Sequence, residues 1–177
     1  MIRNALGDAA VNAGGYVTLR DEIQGQLMGF DLAPATVLAT KKDYRRIERF
    51  LDFSEGPRRN IQVFSGLGVD LLREAQFSAF AVLDEFGGME LLIPEFKEEL
   101  LKLLASPVPC IGVVKTRKAA AALEKRMHLD KHYLASYHEL LSQLLEDSDT
   151  MILETTGRCD DIAREMVLAW TEKYARK

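Results

Sequence analysis

Asp84 and Glu85 stand together at the end of the apolar run Ala79-Phe80-Ala81-Val82-Leu83, and Gly87-Gly88 turn the chain directly after them, with a third acid at Glu90. Adjacent carboxylates at the tip of a buried strand can divide one reaction between them. The first can hold a Mg²⁺ ion, directly or through water, and the second can polarise an attacking water. Strand ends also carry acids simply because that is where they reach solvent. The pair alone therefore leaves both readings open.

The surrounding elements must place those acids. Phe80 to Leu83 reads as a buried strand, and Pro109 to Val114 as another. Pro94 to Ala105 reads as an amphipathic helix with proline in its first turn. Upstream, Ile2 to Asn12 reads as a short helix stopped by Gly14-Gly15. The runs at Tyr16 to Leu19 and Leu27 to Leu32 follow as a hairpin. Asp43 to Phe53 has helical spacing or forms a loop with one turn, and Ile61 to Phe64 and Gly66-Leu67-Gly68 lead into a helix from Val69 to Gln76. Downstream, Lys118 to Met127 and Tyr137 to Leu145 read as helices, Met151 to Glu154 as a strand, and Asp160 to Ala175 as the closing helix, with Asp160 or Asp161 as its N-cap. Strands alternating with helices predict a three-layer α/β domain around a mainly parallel sheet, spanning residues 1–177 without a linker. In such sheets ligands gather at the carboxyl ends of the strands, where Asp84 and Glu85 lie.

Asp84-Glu85-Phe86-Gly87-Gly88-Met89-Glu90-Leu91, followed by Phe96 and Leu100 to Leu104, closely resembles the Walker B block of the thermophilic nucleoside-triphosphatase family of small P-loop NTPases, which reads Asp-Glu-Ile-Gly-x-Met-Glu-Leu. Phe86 replaces an aliphatic residue of that pattern. Gly14-Gly15-Tyr16-Val17-Thr18 and Gly29-Phe30 resemble the family's Gly-Gly-Phe-x-Thr and Gly-Phe hairpin. The likeness is weakest between Pro34 and Asn60. It implies a P-loop-NTPase-like fold and Mg²⁺-dependent hydrolysis of ATP or GTP to the diphosphate and phosphate. On that resemblance Asp84 organises the metal, Glu85 is the general base, and Glu90 positions water or caps the next helix. Lys115 and Arg117 would meet the γ-phosphate, and Arg158 would stack on the base; a solvated strand end and a surface arginine are the plainer readings of these cations.

Family members carry a phosphate-cradling G-x-x-x-x-G-K-[ST] loop. Neither Gly14-Gly15 nor Gly66-Leu67-Gly68 has the Lys-Ser/Thr that completes it, and alignment of the hairpin places Met1 after that loop. The expectation is a domain without the first strand and the loop, hence with little turnover of its own. The alternative is a nucleotide-binding or protein-interaction module on the same scaffold; an unrelated α/β domain would leave the motif order a coincidence. The first strand belongs beside Phe80 to Leu83, so that edge should be filled by another segment or by a neighbouring copy, which favours a homo-oligomer.

Composition narrows the remaining classes. The 177 residues are 47% hydrophobic and 28% charged, with a formal net charge of −4. That balance argues against nucleic acid as the main partner, since phosphates need a basic surface. The local basic clusters at Lys41-Lys42, Arg45-Arg46 and Lys115 to Lys118 read as solvated faces. No run approaches the roughly 18 apolar residues of a membrane span, and Met1-Ile2-Arg3-Asn4 opens no apolar leader. A cytoplasmic location is expected. Cys110 and Cys159 are too few and too far apart for a disulfide framework or metal site, which predicts free thiols.

Overall fold

The computed structural model describes residues 1–39, 46–155 and 161–176. Helix α1 (Ile2–Leu6) runs into a 3₁₀ turn (Gly7–Asn12) and then into the long strand β1 (Ala13–Ile23). The expected hairpin forms between β1 and β2 (Gln26–Pro34). Its two-residue turn has positive φ at Gln24 (53°) and Gly25 (81°), the hand that matches the twist of the flanking strands. Strands β3 (Glu48–Asp52) and β4 (Arg58–Arg59) extend the antiparallel arm. Then come α2 (Val69–Ala75), β5 (Phe80–Phe86), α3 (Pro94–Leu104), β6 (Cys110–Val114), α4 (Arg117–Met127), α5 (His132–Glu146) and α6 (Asp161–Tyr174).

The sheet order is β4-β3-β2-β1-β5-β6. Pairings of β5 with β1 and with β6 are parallel, and they form the core of the domain. Along β5 the side chains alternate between faces. Phe80 and Val82 join Leu6, Val17 and Ala33 on one side, where Trp170 of α6 covers them. Ala81 and Leu83 join Leu72, Phe96, Leu100 and Tyr137 on the other. Helices thus cover both faces, giving the three-layer α/β architecture.

Each helix is set by the spacing of its apolar residues. Phe96, Leu100 and Leu103 recur at the intervals that make one stripe, and all three are fully buried. Pro94 occupies the first turn of α3, where its missing N–H costs nothing. Phe96 is the hub of an aromatic cluster, with ring centres 5.5 Å from Phe64 and 5.8 Å from Tyr16.

Several sequence expectations are corrected. Gly14-Gly15 does not stop a helix but lies inside β1, where a Cβ on Gly14 would fall 2.5 Å from the Ala75 backbone of α2. That close approach of strand to helix is what calls for glycine. Gly66 and Gly68 lie within a π-type helical turn (Phe64–Gly68) that continues into α2, not in a loop ahead of it. Glu48–Asp52, inside the stretch with helical spacing, is a strand, because β2 offers it an edge to pair with. Met151 to Glu154 forms no strand: Met151, Ile152 and Leu153 are exposed and without sheet partners. A lone extended segment has no ladder to stabilise it. Asp161 is the first residue of α6 instead of its cap, and Asp160 lies outside the described residues.

Both edges of Phe80 to Leu83 are paired from within the chain, Ala13 to Tyr16 on one side and Cys110 to Gly112 on the other. Nothing at β5 calls for a neighbouring copy. The edge strands among the described residues are β4 and β6 instead, and Val113 of β6 is 45% exposed.

Candidate functional site

The ladder between β5 and β6 is irregular where the acids stand. Leu83 pairs with Gly112, but Phe86 pairs with Val114, so three steps on β5 oppose two on β6. Asp84 and Glu85 therefore occupy a bulge, a device that re-aims side chains. Adjacent strand residues would ordinarily face opposite sides of the sheet. Glu85 takes up the difference in its backbone, at φ 56°. Positive φ at Gln24 and His128 is explained by a hairpin turn and by the end of α4. Glu85 has no such excuse, and an L-residue held there stores roughly 1–3 kcal/mol of strain.

The effect is to bring both acids under one cation. Lys115, which follows β6, sets its Nζ 3.6 Å from the Glu85 carboxylate. Its charge also favours the ionised form of Asp84. Asp84 is largely withdrawn from solvent, and burial raises its pKa, against the Thr18 backbone N–H, which donates to it at 3.4 Å; the neighbouring Glu85 charge raises it further. Glu85 stays exposed. One carboxylate is thus sheltered and the other is open to solvent.

Glu90 lies in the 3₁₀ turn that follows (Met89–Leu92) and is 5% exposed. Its Oε1 accepts the Gly88 N–H at 2.6 Å. A Cβ on Gly88 would fall 2.7 Å from Oε2 of the same carboxylate, so a larger residue there would push that side chain aside. Burial raises the Glu90 pKa, opposed first by the Gly88 N–H and, less, by Lys115.

Helix α5 clamps the loop from the other side. The Tyr133 hydroxyl donates to the Gly87 carbonyl at 2.8 Å, and the Tyr137 hydroxyl donates to the Lys115 carbonyl at 2.7 Å. The Lys115 N–H in turn donates to the Phe86 carbonyl at 3.0 Å. The glycine loop, the end of β5 at Phe86 and Lys115 are thereby tied into one frame. Sequence reasoning missed both tyrosines, although their i, i+4 spacing places them on one face of a helix. It also missed Thr18, whose contribution is a backbone N–H that no residue type announces.

Arg117 opens α4 on the same rim and is exposed; its charge reaches Tyr137. Arg158 lies outside the described residues. The structure therefore brings Asp84, Glu85, Glu90 and Lys115 together and leaves Arg117 at the margin.

A family model described as NTPase matches residues 1–156. The chain belongs to this NTPase family. No curated protein and no solved structure matches it. Within the NTPase-matched span lie the bulged acids, the glycine loop, Lys115 and both clamping tyrosines; α6 falls beyond it. Among the described residues no helix is long and apolar enough to cross a membrane.

Proposed function

We propose that this NTPase-family chain carries the metal-organising and water-activating side of a site that hydrolyses nucleoside triphosphates, ATP or GTP, to the diphosphate and phosphate with Mg²⁺. The observation that carries the reading is the bulge. A glutamate forced into left-handed backbone, exposed, and set beside a sheltered aspartate under one lysine has no structural purpose that a regular strand end would not serve more cheaply.

Mg²⁺ suits Asp84. Mg²⁺ takes one or two protein carboxylates and draws its remaining ligands from water and substrate phosphates, and Asp84 is a carboxylate held partly out of solvent. The bound ion would neutralise charge on the phosphates. Asp84 would hold it, and the Thr18 N–H fixes the orientation of that carboxylate. Glu85, which faces water, would orient the attacking water and accept its proton. Lys115 would offset charge gathering on the transferred phosphoryl oxygens. Glu90 fixes the height of the Gly87-Gly88 loop and through it the aim of Glu85. Arg117, at the margin, would meet the phosphates, and Arg158 would stack on the nucleotide base.

Equilibrium binding of Mg²⁺-ATP and Mg²⁺-GTP to the 177-residue chain, paired with phosphate release, tests this. Asp84→Asn should weaken binding about tenfold or more, because metal contact acts in the ground state. Glu85→Gln should spare binding and reduce release, because water activation acts in the transition state. Unchanged binding and release in both variants would refute it. Binding without release, indifferent to Glu85→Gln, would mark a nucleotide-binding module. That second reading is favoured by the lack of a G-x-x-x-x-G-K-[ST] stretch in these residues.

A further inference from the structure

Tyr16 carries a feature that no part of this site accounts for. It is 2% exposed, and its hydroxyl is the single fully buried side-chain polar atom among the described residues with no hydrogen-bond partner in the protein. A buried hydroxyl left so costs roughly 1–3 kcal/mol, where phenylalanine would cost nothing. Phenylalanine is the residue that the Gly-Gly-Phe-x-Thr pattern has at this position.

The position of Tyr16 gives the hydroxyl a use. It pairs in register with Leu83, the residue before Asp84, and lies two residues before Thr18, which donates to the Asp84 carboxylate. Its ring packs on Phe96, on the face of the sheet that also buries Met89 and Leu91 either side of Glu90. The charges that act on the Tyr16 hydroxyl are those of Glu90 and Asp84, and together with burial they hold it protonated, as a donor. Glu90 spends Oε1 on Gly88. A buried hydroxyl that bonds no protein group takes a water as its partner. Three polar partners are what a buried water ordinarily takes.

We infer that Tyr16 is a positioning residue: its hydroxyl, through one buried water shared with the carboxyls of Glu90 and Asp84, holds Glu90 against the Gly88 N–H and so fixes the loop that presents Glu85. The inference deepens the reading of the site given above, but the link from Tyr16 to Glu90 stands in the protein without nucleotide and is tested there.

The test is a double-mutant cycle on thermal stability with Tyr16→Phe, Glu90→Gln and the double variant, accompanied by hydrogen exchange at the Gly88 amide. If the hydroxyl is bonded, Tyr16→Phe should lower the melting temperature by about 2–4 °C, and the two changes should be non-additive. The Gly88 amide should exchange about fivefold faster in Tyr16→Phe, as expected for one weakened hydrogen bond, while amides of α6 stay unchanged. An unbonded hydroxyl predicts the reverse: Tyr16→Phe melts at or above the parent, the cycle is additive, and Gly88 exchange is unmoved. Any of those three results overturns the inference. If Glu90→Gln fails to fold, the comparison of the parent with Tyr16→Phe by exchange decides alone. Where nucleotide turnover is measurable, Tyr16→Phe should lower kcat and leave KM unchanged. Its absence would count against the hydrolytic reading only, since the exchange result does not depend on it.

Discussion

Replacing Glu85 by alanine and by glycine separates the backbone of the bulge from its chemistry. Both changes remove the carboxylate and with it the 3.6 Å ion pair to Lys115, a pair whose glutamate is 55% exposed and which contributes little. The difference between the two variants is then the backbone alone. At φ 56° an alanine keeps the penalty of left-handed geometry, about 1–2 kcal/mol. Glycine escapes it but loses more conformational freedom on folding, which costs about 0.5–1 kcal/mol relative to alanine. Subtraction leaves glycine ahead by roughly 0.5–1 kcal/mol, or about 1–4 °C in melting temperature for a chain of this size. At a regular strand position the order would be inverted, with alanine ahead. Thermal melts and urea titrations of the two variants under one buffer read the sign directly. If Glu85→Ala melts at or above Glu85→Gly, the residue is not strained and the reasoning that links the bulge to catalysis fails.

Phe96→Ala should cost about 3–5 kcal/mol in urea denaturation, because the ring is fully buried and joins Tyr16 to Phe64; a loss under about 1 kcal/mol would contradict that packing. Glu90→Gln should change the pH dependence of stability. Burial raises the folded-state pKa of Glu90, so its contribution is fully present below the unfolded value near 4.5 and is lost as pH rises through the folded value. The melting temperature of the parent relative to Glu90→Gln should therefore be higher near that lower limit than at neutrality, and a constant difference across the range would refute the burial argument. Val113→Lys places a charge on the open edge of β6. It should leave stability within about 0.5 kcal/mol and reduce light scattering from concentrated solutions, whereas unchanged scattering would show that this edge takes no part in association.

The elements around the site were legible because their signals are local. An uninterrupted apolar run marks β5, and Pro94 with the Phe96, Leu100, Leu103 stripe marks α3. Glu48–Asp52 was not legible, since its charges and spacing suit a helix and only the waiting edge of β2 makes it a strand. Met151 to Glu154 shows the converse: its apolar run suits a strand, but a strand also requires a partner. The two acids at the tip of β5 could be picked out by type, while their convergence could not. It depends on three residues of β5 facing two of β6, a relation between segments that neither contains. The hold of Glu90 on Gly88 sits at a separation of two residues, yet it shows only once the loop geometry is known. The tyrosines of α5 act from 46 and 22 residues away.

Alternation along β5 has a consequence for which acid does what. Phe80 and Ala81 fill neighbouring slots on opposite faces, one sized for a ring and one for a methyl group. A slip of this strand by a single residue would drive the phenyl ring into the alanine's slot and exchange every side chain between the two cores. It would also carry Asp84 into the place of Glu85, away from the Thr18 N–H. The proposed division between metal holder and base would therefore be protected by a mismatch of bulk in the floor beneath them. Evolution could change the acids themselves with little effect on folding, but it could not swap their stations without recarving the interior.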